Sequence, residues 1–152
     1  MQLALALVLG FVAGLRTMTA PAAASWAARS GLLAVSGTGL AFMGFRFTPI
    51  VFTLLALAEL VNDKLPKTPS RKTPPQFIGR LLSGALVGAT VGAAAEMLVV
   101  GIILGIVGAV AGTYGGAAVR SGLAKQFGKD MPAALIEDFL AIALSIISIT
   151  LL

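Results

Sequence analysis

The sequence predicts an all-α integral membrane protein with about five transmembrane helices, and three observations lead there. The 152 residues are 58% hydrophobic and 11% charged, where a soluble domain carries about 25% charged residues. Mean hydropathy is +1.00. The apolar runs approach or exceed the roughly 20 residues that a helix needs to cross a bilayer, and most are too long for barrel strands of about 9–11 residues. An open sheet would leave backbone groups unsatisfied in lipid.

The elements follow in order along a single transmembrane domain, residues 1–152. Span one covers about 3–28, with Arg16 as its one charge. Its small residues "APAAASWAA" look like a cleavage site, but the segment before them has no basic residue, so it reads as a span and not a signal peptide. Span two covers about 42–62, its start blurred by Gly44, Arg46 and Pro49. A proline-rich basic loop, 64–76, follows; Pro66, Pro69, Pro74 and Pro75 make it extended rather than helical. Residues 77–119 are too long for one span and divide near Glu96 into spans three, 77–96, and four, 98–119. Glu96 itself reads as a solvated hairpin tip. Span five covers 132–152.

Charge sets the expected orientation. Lys64, Lys67, Arg71, Lys72 and Arg80 lie between spans two and three, and Arg120, Lys125 and Lys129 between spans four and five. Only Arg29 and Arg46 fall on the other side. The positive-inside rule puts the larger group in the cytoplasm, with the N-terminus cytoplasmic and the C-terminus outside. The net charge of +5 therefore reads as a topology signal. It does not indicate nucleic acid, because no aromatic residues interleave with the cations as a stacking platform would.

Two stretches resemble each other: "GFVAGLRTMTAPAAASWAARSG" (10–31) and "GAVAGTYGGAAVRSGLAKQFG" (108–128). Each precedes a segment with two acids, Glu59 and Asp63 in one case, Glu137 and Asp138 in the other. With five spans the two stretches run in opposite directions, which predicts an inverted two-helix repeat, spans 1–2 and 4–5, joined by the Gly-rich span three. Such repeats place a site near the midplane at interrupted helices. Gly14, Arg16 and Pro21 are expected to interrupt span one, and "AGTYGG" span four. Glycines four apart, Gly84, Gly88 and Gly92 and then Gly101, Gly105, Gly108 and Gly112, allow close helix contact. They also predict a homodimer.

An ionisable group at membrane depth costs about 2.5–3.5 kcal/mol on insertion scales and is a functional hypothesis by default. Arg16 is the deepest. It is expected to find a carboxylate within about 2.7–2.9 Å, Glu137 first and Glu59 second. Glu59 and Asp63 are four apart and share a helix face. Glu137 and Asp138 are adjacent and point apart, so one purpose for both is not expected. The candidate pathway for an ion or solute comprises Arg16, Thr17, Thr19, Glu59, Asp63, Thr113, Tyr114, Glu137 and Asp138. Lys64, Lys67, Arg71, Lys72 and Arg80 are candidates for anionic lipid or phosphate, if they do more than set topology.

There is no Cys and no His. This removes thiol and imidazole chemistry and the zinc sites built on them. No G-x-S-x-G, Walker loop or HExxH occurs. No catalytic residue and no cofactor is assigned. Three functions stay open. The first is a small transporter or channel for an ion or solute. The second is a membrane enzyme or binder acting on a lipid phosphate, with Mg²⁺ held by carboxylates. The third is a structural or assembly protein.

"AGLRTMTAPAAASWAA", "LALAELVNDKLPKTPSRKTPP" and "AGTYGGAAVRSGLAKQFG…ALIEDFLAI" resemble the bacterial membrane family called domain of unknown function 4126. The resemblance covers most of the chain. It implies an integral membrane protein and brings no activity with it; the apolar spans and the basic loop themselves lead to the expectation of a multi-pass protein of the bacterial inner membrane in contact with anionic lipids.

Overall fold

The computed structural model describes residues 1–66 and 69–152. Among them are six α-helices and no strand: α1 (Gln2–Leu15), α2 (Thr19–Arg29), α3 (Thr48–Asn62), α4 (Pro74–Ala94), α5 (Leu98–Phe127) and α6 (Asp130–Thr150), with a 3-10 turn at Ala41–Gly44. Three of them, α4, α5 and α6, are long and apolar enough to cross a membrane; α1 and α3 are apolar but shorter.

The expected span 3–28 is two helices. The break lies at Arg16–Met18, and Pro21 sits in the first turn of α2. There its missing N–H is not needed and its fixed φ suits the helix. Pro49, Pro74 and Pro132 likewise fall in the first turns of α3, α4 and α6. Pro74 and Pro75, expected in the extended loop, instead open α4, while Pro66 and Pro69 stay outside the helices.

Inter-helix contacts fix the direction of each helix. A Cβ on Gly10 would meet Gly105, and one on Gly14 would meet Ala109 and Thr113, so α1 and α5 run parallel. Gly84 faces Gly105 and Ala109 while Gly92 faces Met97 and Gly101, so α4 is antiparallel to α5. Thr17 and Met18 meet Glu59, and Trp26 Nε1 donates to Thr53 at 3.0 Å, so α2 is antiparallel to α3. Six helices of alternating direction therefore run between two ends. Met1 and Leu152 share one end, and the loop after α3 lies at the other. The expected arrangement put the N-terminus on the side of the basic loop; the reversal at Arg16–Met18 moves it to the opposite side.

The same reversal removes the opposed geometry of the expected repeat. The two G-x-V-A-G stretches, Gly10–Gly14 and Gly108–Gly112, are parallel and packed on each other: a Cβ on Gly112 would lie 2.1 Å from the Phe11 carbonyl oxygen. The interruption expected at "AGTYGG" does not occur either, since α5 continues for 30 residues to an αL cap at Gly128, φ +68°. Gly112 and Gly116 there accommodate backbone and side chains from α1, Arg71 and Glu137. The glycine faces expected to join two copies are filled by neighbouring helices of the same chain. Glu96 is exposed at the α4–α5 turn with φ 58°, as expected of a hairpin tip.

Candidate functional site

The break between α1 and α2 creates the site. Arg16 N–H still bonds the Val12 carbonyl at 2.7 Å, so α1 persists to this residue. Arg16 then turns extended, φ −138°, ψ 115°. A broken helix leaves free carbonyls at one end and free N–H groups at the other. Side chains from two other helices satisfy both. Arg80 Nη1, from α4, donates to the Gly14 and Leu15 carbonyls at 2.7 and 2.8 Å. Glu59, from α3, accepts from the amides of Thr17 and Met18 at 2.7 and 2.8 Å. A cation thus caps the negative end of α1 and an anion the positive end of α2, each with the sign the helix dipole favours. Ser83 Oγ donates to the Thr17 carbonyl.

Arg16 itself is fully buried. Its Nη1 lies 2.7 Å from Asp63 Oδ2, its Nη2 contacts Asp138, and Glu137 is 3.6 Å away. The two nearest partners are therefore Asp63 and Asp138. Glu137, expected first, stands outside hydrogen-bond range, and Glu59, expected second, is occupied by the α2 amides. The Arg16 contacts are close but poorly aligned: none of its three guanidinium nitrogens has a directed hydrogen bond among the described residues. Coulomb attraction holds this side chain, and its five donors are underused.

The network extends outward from there. Arg120 donates to Asp63 at 2.6 Å, to both Asp130 oxygens at 3.0 and 2.6 Å, and to Glu137 at 3.3 Å. Arg71 clamps Glu137 with both terminal nitrogens, Nη2 at 2.8 Å. Lys64 pairs with Asp138 and also donates to the Leu60 carbonyl at 2.9 Å. Glu137 and Asp138 point apart, as adjacent residues must, yet both belong to one network because cations surround the start of α6. Five basic residues (Arg16, Lys64, Arg71, Arg80, Arg120) face five acids (Glu59, Asp63, Asp130, Glu137, Asp138). The charges balance, as a buried cluster requires.

Three expected members stand differently. Thr113 is buried, but its hydroxyl bonds back to the Ala109 carbonyl at 2.7 Å and only approaches Gly14 O at 3.5 Å. Tyr114 is half exposed on the outer side of α5, 5.6 Å from the Phe77 ring and with Lys72 5.7 Å above it. Thr19 is buried with no partner for its hydroxyl among the described residues. Lys67 lies outside the described residues. Of the expected lipid-phosphate cations, Lys64 and Arg71 are spent on acids and Lys72 on an aromatic face. Arg120 and Asp130 enter the network although sequence reading counted Arg120 only as a topology signal. The clue was the concentration of acids: all but Glu96 lie within 59–63 or 130–138.

A cavity of about 480 Å³ opens beside the network, lined by Glu59, Asp63, Lys64, Arg71, Arg80 and Arg120 among others. Arg80 lies about two turns into α4, Asp138 about two turns into α6, and Arg120 about two turns before the end of α5, so the cavity floor is roughly 10 Å inside those helix ends.

Asp63 gives the network a pH dependence. Burial alone would raise its carboxyl, but Arg16 and then Arg120 outweigh burial and hold it below the ordinary carboxylate range. A depressed carboxylate stabilises the fold above its unfolded pKa of about 4, and that stabilisation is lost as pH falls through the lower folded value. Thermal midpoints in detergent between pH 7 and pH 3 should fall on acidification, and Asp63→Asn should flatten the fall. Equal slopes for the two proteins would contradict this assignment.

Residues 3–151 match the family described as domain of unknown function (DUF4126). The chain belongs to this family. No curated protein and no solved structure matches it.

Proposed function

We propose that this DUF4126 protein is a small membrane transporter or channel for a charged solute, with the α1–α2 break as its site and the surrounding ion pairs as its gate. One observation carries the reading: a helix is broken beside a fully buried arginine, and both broken ends are capped by side chains from other helices. Breaks at membrane depth are tolerated where they line a cavity, and transporters place charged substrates at such half-helix ends. Glu59 and Arg80 occupy the positions that a substrate's charges would take. Exchanging an ion pair for a solute of matching charge costs less than exposing either partner alone. The basic-loop end, with the cavity, is the cytoplasmic entrance in this reading, and both termini are then outside.

The magnesium-enzyme reading fares worse. Asp63, Glu137 and Asp138 each face a guanidinium or ammonium, and no group of three metal-type ligands stands together among the described residues. A divalent cation would have to displace several buried cations to reach them.

The test is flux from proteoliposomes loaded in turn with sodium, potassium, chloride or phosphate. At least one probe should leave faster than from protein-free vesicles, and Glu59→Gln, which removes one charge from the site at the α1–α2 break, should change that rate tenfold or more. Retention of every probe at the protein-free level would overturn the proposal.

A further inference from the structure

An apolar groove of about 840 Å³, lined by Met18, Leu55, Leu57, Ala58 and Val61, runs beside α3 on the outside of the bundle. Glu59, Asn62, Leu65 and Gln76 line both the groove and the polar cavity. Leu57, Val61 and Leu65 are more than half exposed. An apolar groove and a polar chamber thus adjoin at these four residues, an arrangement that suits a molecule apolar at one end and charged at the other.

The sign of the charged end follows from the chamber. Among the cations on its wall, Lys64, Arg71 and Arg120 are each paired with acids. Arg80 is not paired with any carboxylate among the described residues. Its Nη1 holds the two α1 carbonyls, its Nε has no partner, and the residue is 3% exposed. Arg80 lines the chamber, and because carbonyls carry no formal charge an anion can contact its guanidinium without displacing a carboxylate, within a cluster that is balanced overall. Glu59, the acid at the junction, is occupied by two backbone amides and makes no ion pair with Arg80 among the described residues.

We infer that the site binds one anionic phospholipid from the surrounding bilayer, its phosphate on Arg80 and an acyl chain in the groove along α3. The inference is independent of solute movement, because lipid occupancy is read by binding and not by flux.

Native mass spectrometry of the full chain in mild detergent tests it, with phosphatidylglycerol and phosphatidylcholine of identical chains as probes. Phosphatidylglycerol should be retained as a single adduct at least tenfold more tightly than phosphatidylcholine, and millimolar inorganic phosphate should not displace it. Arg80→Gln should weaken retention at least tenfold, and Arg80→Lys should restore part of it. Because Arg80 also caps α1, these variants are read beside Ala58→Trp, which fills the groove at an exposed position and leaves every ion pair intact. Ala58→Trp should also lower retention tenfold. Equal retention of the two lipids, full displacement by inorganic phosphate, or unchanged binding by Ala58→Trp would each overturn the inference.

Discussion

Arg16→Met is expected to destabilise the protein by about 3–5 kcal/mol, the cost of removing one partner from a buried ionic group. Methionine keeps the apolar stem and most of the volume, so the loss reports charge and not a cavity. Without Arg16 the network carries five acids against four cations. Asp63 keeps Arg120 at 2.6 Å and Asp138 keeps Lys64, which places the effect at the lower end of the range. Asp138→Asn in the same chain restores the balance and should recover half or more of the loss. Thermal and denaturant unfolding of the single and double variants in one detergent checks this. A single variant as stable as wild type, or a double variant no better than the single, would mean that Arg16 is not held by charge. Lost flux in the rescued double variant would add a role in transport to the structural one.

The all-helical, apolar character was legible from composition, and three helices are long and apolar enough to cross a membrane; the number of spans was not. The solvated Glu96 was legible for a local reason, but the helix starts at Pro21 and Pro74 were not: Pro21 read as an interruption and Pro74 and Pro75 as part of an extended loop. The reversal at Arg16–Met18 was not legible either. Residues 3–28 have the length and apolarity of one span, and nothing in a hydrophobic run records a change of direction. The signs were two. A charged residue stood where a helix could end, and Pro21 stood where the next could begin. Once that turn is missed, the first segment is given the wrong direction and the opposed repeat built on it fails, while the directions of the later helices are unaffected. The likeness between Gly10–Gly14 and Gly108–Gly112 had a physical cause all the same. Both stretches line a single parallel contact, and each helix needs glycine where the other's backbone approaches.

The site was half legible. That Arg16 needs carboxylates follows from burial cost, and four of the six acids were placed beside it in advance. Which carboxylate touches which nitrogen depends on helix rotation, and a sequence without an alignment does not contain it. Glu59 illustrates the point. Charge alone pairs it with arginine; the broken helix instead offers two amides whose partners left with the interrupted backbone. That demand exists only once the break exists. Arg120 was missed because a cation near a helix end satisfies the topology rule so readily that no further role is sought for it.

Gly105→Ala is expected to prevent normal folding, although alanine favours a helix by about 1 kcal/mol over glycine. Gly105 is where three helices meet. A Cβ there would lie 2.1 Å from the Gly84 carbonyl oxygen and 2.9 Å from the Gly88 Cα, and Gly10 of α1 approaches the same residue from its other side. All of these are backbone atoms, so no rotamer change can make room. The helices must separate, and separation loosens the α1–α5 contact that positions Gly14, Leu15 and Arg16 over Arg80. Overpacking costs about 1–3 kcal/mol where side chains can yield; here the cost should reach the top of that range or exceed it. Gly115 and Gly122, also in α5, have nothing within 4 Å of an added Cβ. The same change at either should leave stability unchanged or raise it slightly. The comparison holds the helix, the chemistry and the propensity gain constant and varies only the neighbour. Expression yield, monodispersity and thermal midpoint of the three variants decide it. If Gly105→Ala matches Gly122→Ala, close backbone contact is not what holds α1, α4 and α5 together.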